Sequence, residues 1–301
     1  MLYLVDSSIY IFRAWQTLPG SIENTLGEPA NAVIGFADTL ARIIQDEQPT
    51  HMVCAFDQNN GKGARREIYP PYKANREPAP PDLMVQFQRC FELAKLLGIP
   101  SFGSASVEAD DIIGSMAQLA HQCDEPVTIV SADKDLAQFI AKGDTYWNLA
   151  RKLKLSEKDI CNQFKVEPSQ IADLLAICGD KVDNIPGVPG VGMATAARLL
   201  KKWRTIDSML AQAEEIAKMK FRGAPRISLL VGEHADTIRL ARKLTGLIHD
   251  DALPTSLDKL QLKRPDQHTL IESLLKAGFT EQGSDSLARR ICTPAHLRKQ
   301  K

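Results

Sequence analysis

Apolar residues along this chain switch between two periods, and the switches outline its elements. Leu2 to Val5 is a short apolar run ending at Asp6, the pattern of a buried strand with a carboxylate at its carboxyl end. Ser7 and Ser8 can cap a following helix that places Ile9, Phe12 and Trp15 on one face, with Arg13 inside it. Val33, Ile34, Phe36, Leu40, Ile43 and Ile44 fit a helix over 30–45. His51 to Phe56 is a second strand, and it too ends on an aspartate, Asp57. A helix over 83–97 closes at Gly98, a short strand lies near Ile99, and 107–120 is a helix burying Ile112, Ile113, Met116, Leu119 and Ala120. Val127 to Val130 is a third buried strand, and 145–149 predicts one more. After Lys152 the pattern is wholly helical, over 156–164, 168–178, 193–202, 205–219, 225–231 and 234–244. Residues 251–301 read as a looser extension with one clear helix, 268–277, and a basic end at Arg298, Lys299 and Lys301. Strands alternating with helices predict an α/β fold, a central, mainly parallel sheet flanked by helices, followed by a helical part. In such sheets ligands sit beyond the carboxyl ends of the strands. One aspartate at a strand end is as well explained by helix capping; two point to a site.

Composition narrows the class. The 301 residues exceed a comfortable single core, so one large domain with appendages or two domains are expected. Hydrophobic residues at 44% and charged residues at 25% are ordinary for a globular protein, and no run reaches the roughly 18 apolar residues of a membrane span. No basic region precedes an apolar stretch at the N-terminus, which argues against a secretory signal. Six scattered cysteines without a C-x-x-C pair read as reduced thiols of a cytoplasmic protein and make a zinc site improbable. The 37 basic and 37 acidic side chains cancel, which excludes a simple basic nucleic-acid coat.

Their distribution is uneven. The stretch 179–200 reads G-D-K-V-D-N-I-P-G-V-P-G-V-G-M-A-T-A-A-R-L-L. Asp180 and Asp183 offer carboxylates, while Gly187, Gly190 and Gly192 precede a helix whose free N–H groups can meet a phosphate. A plain Gly-Pro turn between packed helices explains the glycines alone equally well. Residues 58–82 are Gly- and Pro-rich and basic, with Lys62, Arg65, Arg66, Lys73 and Arg76 interleaved with Tyr69 and Tyr72. That mixture suits single-stranded nucleic acid, and also a solvated surface loop. Glu108, Asp110 and Asp111 cluster in one helical turn, where the dipole favours them but mutual repulsion calls for a cation. Asp133 and Asp135 again follow a strand end. Nine carboxylates, Asp6, Asp57, Glu108, Asp110, Asp111, Asp133, Asp135, Asp180 and Asp183, can therefore converge at one sheet edge. Oxygen ligands without His or Cys select hard cations, Mg²⁺ or Mn²⁺. Two such ions about 3.5–4 Å apart can bridge a phosphodiester and activate water, and cations such as Lys73 and Arg76 can stabilise the developing charge.

These motifs together resemble the 5′ nuclease family, the 5′–3′ exonucleases and flap endonucleases, and most closely the 5′ nuclease domain of bacterial DNA polymerase I. The resemblance rests on L-V-D-S-S at 4–8 with Arg13, A-F-D at 55–57, Y-P-P-Y-K-A-N-R at 69–76, E-A-D-D at 108–111, A-D-K-D-L at 132–136 and G-D-K-V-D-N-I-P-G-V-P-G-V-G at 179–192, and covers about residues 1–280. It implies that all nine carboxylates serve the metal ions, directly or through water. It further implies that Lys73 and Arg76 act in catalysis, that Arg13 and Arg65 contact substrate phosphates, and that Tyr72 lies near an unpaired 5′ end. Residues 58–82 match an arch, and Gly187, Gly190 and Gly192 a helix–three-turn–helix element that holds duplex DNA, often with K⁺. The implied layout is a nuclease core over 1–160, a helical DNA-binding part over 161–250 and an extension over 251–301. The partners implied are nicked or 5′-flapped DNA and RNA primers, met by a monomer, and with no polymerase module following, a free-standing member is expected. Ser7, Ala132 and Val182 depart from the usual family residues without removing a carboxylate. An RNase of the PIN-like class would lack the arch and hairpin, and a DNA-binding protein without catalysis would be expected to lack carboxylates.

Overall fold

The computed structural model describes residues 1–58 and 63–293. Lys62, Arg298, Lys299 and Lys301 lie outside the described residues. The elements run β1 (Leu2–Asp6), α1 (Ser7–Thr17), α2 (Asn31–Glu47), β2 (His51–Asp57), α3 (Ala64–Ile68), α4 (Pro81–Leu96), β3 (Ser101–Ser104), α5 (Ala109–Gln122) and β4 (Val127–Val130). They continue with β5 (Thr145–Asn148), β6 (Leu153–Leu155), α6 (Glu157–Phe164), α7 (Ile171–Cys178), α8 (Met193–Trp203), α9 (Ile206–Leu210), α10 (Ala224–Glu233), α11 (Ala235–Thr245), α12 (Gln267–Lys276) and α13 (Glu281–Cys292).

The sheet order is β3-β2-β1-β4-β5-β6, parallel except where β6 pairs antiparallel with β5. Chain order reverses at β1, which pairs with β2 on one side and β4 on the other. The carboxyl end of β1 is therefore the switch point where a crevice opens in such sheets. β1 is buried along its whole length, as a central parallel strand must be.

Alternate residues of the strands feed two cores. Leu2, Leu4, Val53, Ala55, Val127 and Ile129 face α5 and the helical part. Tyr3, Val5, Met52, Cys54 and Phe56 face α1, α2 and α4. The second core also takes Leu262, Leu270, Leu274, Leu287, Ala288 and Ile291. Residues 262–292 therefore form no loose extension. Its backbone is tied by Leu262 N–H to Thr50 O and by Lys263 N–H to Gly98 O, and Arg290 reaches Asp38 and Gln45 on α2.

Three of the differences from the pattern-based reading have a clear physical cause. β6 interrupts the all-helical stretch; its L-K-L sequence is mostly exposed and gains its form from pairing with Tyr146–Asn148. The helix expected over 205–219 breaks into α9 and a 3₁₀ turn over Ala213–Lys218, a bend that buries Ile216 and lets Ser228 Oγ donate to Ala213 O. Helix α13 was absent from the pattern because it opens on a polar E-Q-G-S; Thr280 caps it by accepting from Gly283 N–H. All six cysteines are free, and among the described residues no helix is long and apolar enough to cross a membrane.

Candidate metal centre

The centre lies beyond the carboxyl end of β1. Asp6 is buried there and accepts from Ser131 Oγ at 2.7 Å. Burial pushes its carboxyl up to about 7; the Ser131 bond opposes the rise, and Asp57 and Asp133 add to it by repulsion. Asp57 ends β2 and accepts from Ala109 N–H at 2.8 Å, so it also caps the start of α5. Asp110, one residue on, sits well above the usual carboxylate range through burial and repulsion from Asp133 and Asp6. Asp133 follows β4, accepts from Asp135 N–H at 2.9 Å, and is raised by burial. Asp135 is pushed up to about 7 by burial, then by Asp133, Asp180 and Asp183. Its Oδ1 is buried with no hydrogen-bond partner. These carboxylates lie close enough to one another to repel.

The helical part supplies Asp180 and Asp183 from a tight loop after α7. Asp180 and Ile185 exchange backbone hydrogen bonds, and Asp180 Oδ1 accepts from Val182 N–H at 2.7 Å. The basic segment after α3 lies across this loop. Lys73 N–H donates to Asp183 O at 2.9 Å, Asn184 Nδ2 to Pro71 O at 2.7 Å, and Asn75 Nδ2 to Lys181 O and Val182 O. Lys73 Nζ contacts both oxygens of Glu108 at 3.0 and 2.9 Å and stands 3.7 Å from Asp183, while Arg76 pairs with Asp183. Burial alone would lift Glu108, but Lys73 and Arg65 hold it below its ordinary range.

Whether these residues suit a metal ion can be tested on the donors. Among the described residues no three His, Cys, Asp or Glu side chains form a ready-made cage. Bare carboxylates repel one another, and here cationic side chains share them. Yet a cavity of about 30 Å³ is lined by Glu108, Asp110, Asp111, Asp135, Asp180 and Asp183, with Arg65, Tyr72 and apolar side chains such as Phe139 and Leu175 on its wall. An unpartnered buried carboxylate oxygen and a lining whose anionic donors are all carboxylates, with no His or Cys, fit a hard divalent cation.

Residues 1–166 match the profile described as 5′-3′ exonuclease, N-terminal resolvase-like domain, and 166–268 match 5′-3′ exonuclease, C-terminal SAM fold. The chain belongs to the 5′-3′ exonuclease family. It is 35% identical over 273 residues to the 5′-3′ exonuclease of Aquifex aeolicus, covering 91% of this chain and 90% of that protein. It is 35% identical over 297 residues to DNA polymerase I of Rhizobium leguminosarum, covering 96% of this chain but only 28% of that protein's length. The fold is similar to that of T5 5′-exonuclease with bound zinc ions, at TM-score 0.67 and 19% identity over 96% of this chain and 97% of the other. It is also similar to the catalytic core of Rad2 in complex with DNA substrate, at TM-score 0.62 and 16% identity over 96% and 91% of the two chains.

Within this 5′-3′ exonuclease fold, several expected roles change. Arg65 does not face a phosphate: it is 7% exposed, and its guanidinium grips both oxygens of Asp111, with Nη2 to Oδ1 at 2.8 Å. It also donates to Leu244 O at 2.7 Å and Gly246 O at 2.9 Å. Asp111, 1% exposed, lines the cavity, but both its oxygens are taken by Arg65 and by the N–H groups of Glu108 and Ile248, so it anchors the centre rather than offering an open ligand. The i, i+3 spacing of Glu108 and Asp111 proves to be a capping box. Tyr72 is buried in the first core, so its ring cannot stack on a base in this arrangement. Gly187 serves close packing: a Cβ there would lie 2.3 Å from the backbone of Cys178 and Gly179. Gly190 has φ +78° and turns the chain, and Gly192 precedes α8 in open space. Those two line an open groove of about 510 Å³ over 178–192. Arg13 is exposed on α1. The sequence reading missed Ser131, Asn75 and Asn184. Only Ser131 carried a signal, as a hydroxyl placed directly after a strand.

Proposed function

We propose that the chain is a divalent-metal-dependent 5′ nuclease that hydrolyses phosphodiesters at or near the 5′ end of nicked, flapped or branched DNA. The observation that carries this reading is the buried, unpartnered oxygen of Asp135, a residue lining the cavity shared with Glu108, Asp110, Asp180 and Asp183, with Lys73 paired to Glu108 and Arg76 to Asp183. Family membership supports it, as do fold relatives solved with divalent ions or with DNA substrate. Bound Mg²⁺ or Mn²⁺, two ions or more, would supply Lewis-acid activation of water and stabilise the leaving oxygen. Asp6, Asp110, Asp133, Asp135, Asp180 and Asp183 would hold the ions, with Asp57 and Glu108 completing the ring. Lys73 and Arg76 would then exchange carboxylate partners for phosphate oxygens, which the guanidinium fork of Arg76 suits well. Gly190, Gly192 and the first N–H groups of α8 would grip duplex backbone, with a K⁺ ion at the hairpin and Lys201 and Lys202 alongside. RNA primers as substrates, a monomeric state and a cytoplasmic setting belong to the same proposal.

Cleavage of a 5′-labelled flap duplex tests it. Cutting near the junction is expected with Mg²⁺, and none with EDTA or in Asp110→Asn. Tight, metal-independent flap binding without cutting in either Mg²⁺ or Mn²⁺ would instead identify a structure-specific DNA-binding protein.

A further inference from the structure

One polar group at the centre has no part in the reaction as described: the hydroxyl of Tyr72. It donates to Glu108 Oε2 at 2.9 Å, and Asp183 Oδ2 lies 3.3 Å away. Its single proton is therefore shared between two carboxylates from different parts of the chain. Glu108 stands at the start of α5, fixed by the capping box and the Arg65–Asp111 pair. Asp183 stands in the loop pinned by the Asp180–Ile185 exchange. Between them the nuclease core and the helical part face each other.

Lys73 also bridges these carboxylates and Arg76 pairs with Asp183, but both do so by long, flexible side chains, and Arg76 is half exposed. Under the proposed reaction both turn toward phosphate. Tyr72 cannot follow them. Its ring is 4% exposed and packed in the core, and it has only two side-chain torsions. When those two cations leave, buried Arg65 remains 3.5 Å from Glu108 alone, and the Tyr72 hydroxyl is the donor that still joins Glu108 to Asp183.

We infer that Tyr72 is a positioning residue, whose hydroxyl fixes the separation of Glu108 and Asp183 and so sets how tightly the centre holds its ions. The inference rests on the metal-nuclease reading and deepens it. Removing hydrogen-bond partners behind a metal ligand commonly weakens metal affinity about 10–100-fold.

The test is Tyr72→Phe in the full chain, which keeps the ring and deletes one oxygen. Calorimetric titration of Mn²⁺ into the DNA-free protein should show affinity about 10–100-fold below wild type. Flap cleavage should need correspondingly more Mn²⁺ but recover to within a few-fold of wild type at saturation. An unchanged melting temperature in EDTA shows that the fold is intact. If wild type binds Mn²⁺ and cuts, and Tyr72→Phe matches it in both, the hydroxyl has no positioning role and the inference fails alone; that is also the result expected of a ring that merely packs or stacks. If wild type neither takes up Mn²⁺ nor cuts, the nuclease reading fails and takes this inference with it.

Discussion

Arg65 separates a structural role from a substrate role. Truncation to Met keeps much of the apolar stem but removes the guanidinium. Asp111, 1% exposed, would then hold an uncompensated buried charge, and the carbonyls of Leu244 and Gly246 would lose their donors at 2.7 and 2.9 Å. Removing one partner of a buried ion pair costs about 3–5 kcal/mol. The loss should appear in EDTA and without DNA, because neither enters the argument. Urea unfolding followed by fluorescence of the three tryptophans measures it. Arg65→Met combined with Asp111→Leu should recover only the part of the loss due to the uncompensated charge, since the N–H groups of Glu108 and Ile248 and the carbonyls of Leu244 and Gly246 still lack these partners. Stability of Arg65→Met within about 0.5 kcal/mol of wild type, together with weakened DNA binding, would refute the reasoning and return Arg65 to the phosphate-contact role.

Further outcomes follow from the same geometry. Asp6 and Asp135 have folded-state carboxyls raised to about 7, above the unfolded value of about 3.9, so their protonated forms favour the fold. That contribution is complete below about pH 4 and is lost as pH rises through about 7, so the melting temperature of the metal-free protein should fall across that window and Mg²⁺ should restore it most at high pH. Differential scanning calorimetry in EDTA that shows the same pH dependence for wild type and Asp135→Asn would count against it. Gly187→Ala should destabilise by about 1–3 kcal/mol, because the new methyl meets backbone, whereas Gly192→Ala, in open space at φ −94°, should melt with wild type. Ile291→Ala in α13 should cost about 2–5 kcal/mol, a loss that a loose extension would not show on thermal melting.

Much of the fold was legible because the strands of the sheet are continuous apolar runs that end on carboxylates. Leu2–Asp6 and His51–Asp57 carry that signature without reference to distant partners, and Val127–Val130 nearly does, with Asp133 three residues beyond its end. β6 and α13 do not, since each owes its form to a neighbour: β5 for one, α2 for the other. Asp6 and Asp57 were legible for the same reason as the strands they end, whereas Glu108 and Asp110 are written at a helix start and Asp180 and Asp183 in the loop after α7. What local sequence does not encode is which cation neutralises which carboxylate. Arg65, Lys73 and Arg76 lie within one basic segment, yet one is drawn into the interior by the 244–246 carbonyls and Asp111, and the other two remain at the acidic edge. Tyr72, beside them, turns its ring into the core and presents only oxygen.

The most direct measurement is anomalous diffraction from crystals of the protein soaked in Mn²⁺. The predicted result is anomalous density within coordination distance of Asp135 Oδ1 and shared with Asp6, Asp110, Asp133, Asp180 or Asp183, with Lys73 withdrawn from Glu108. Manganese bound only elsewhere, with Asp135 Oδ1 still unpartnered and Lys73 still on Glu108, would contradict the claim that these carboxylates form a metal centre.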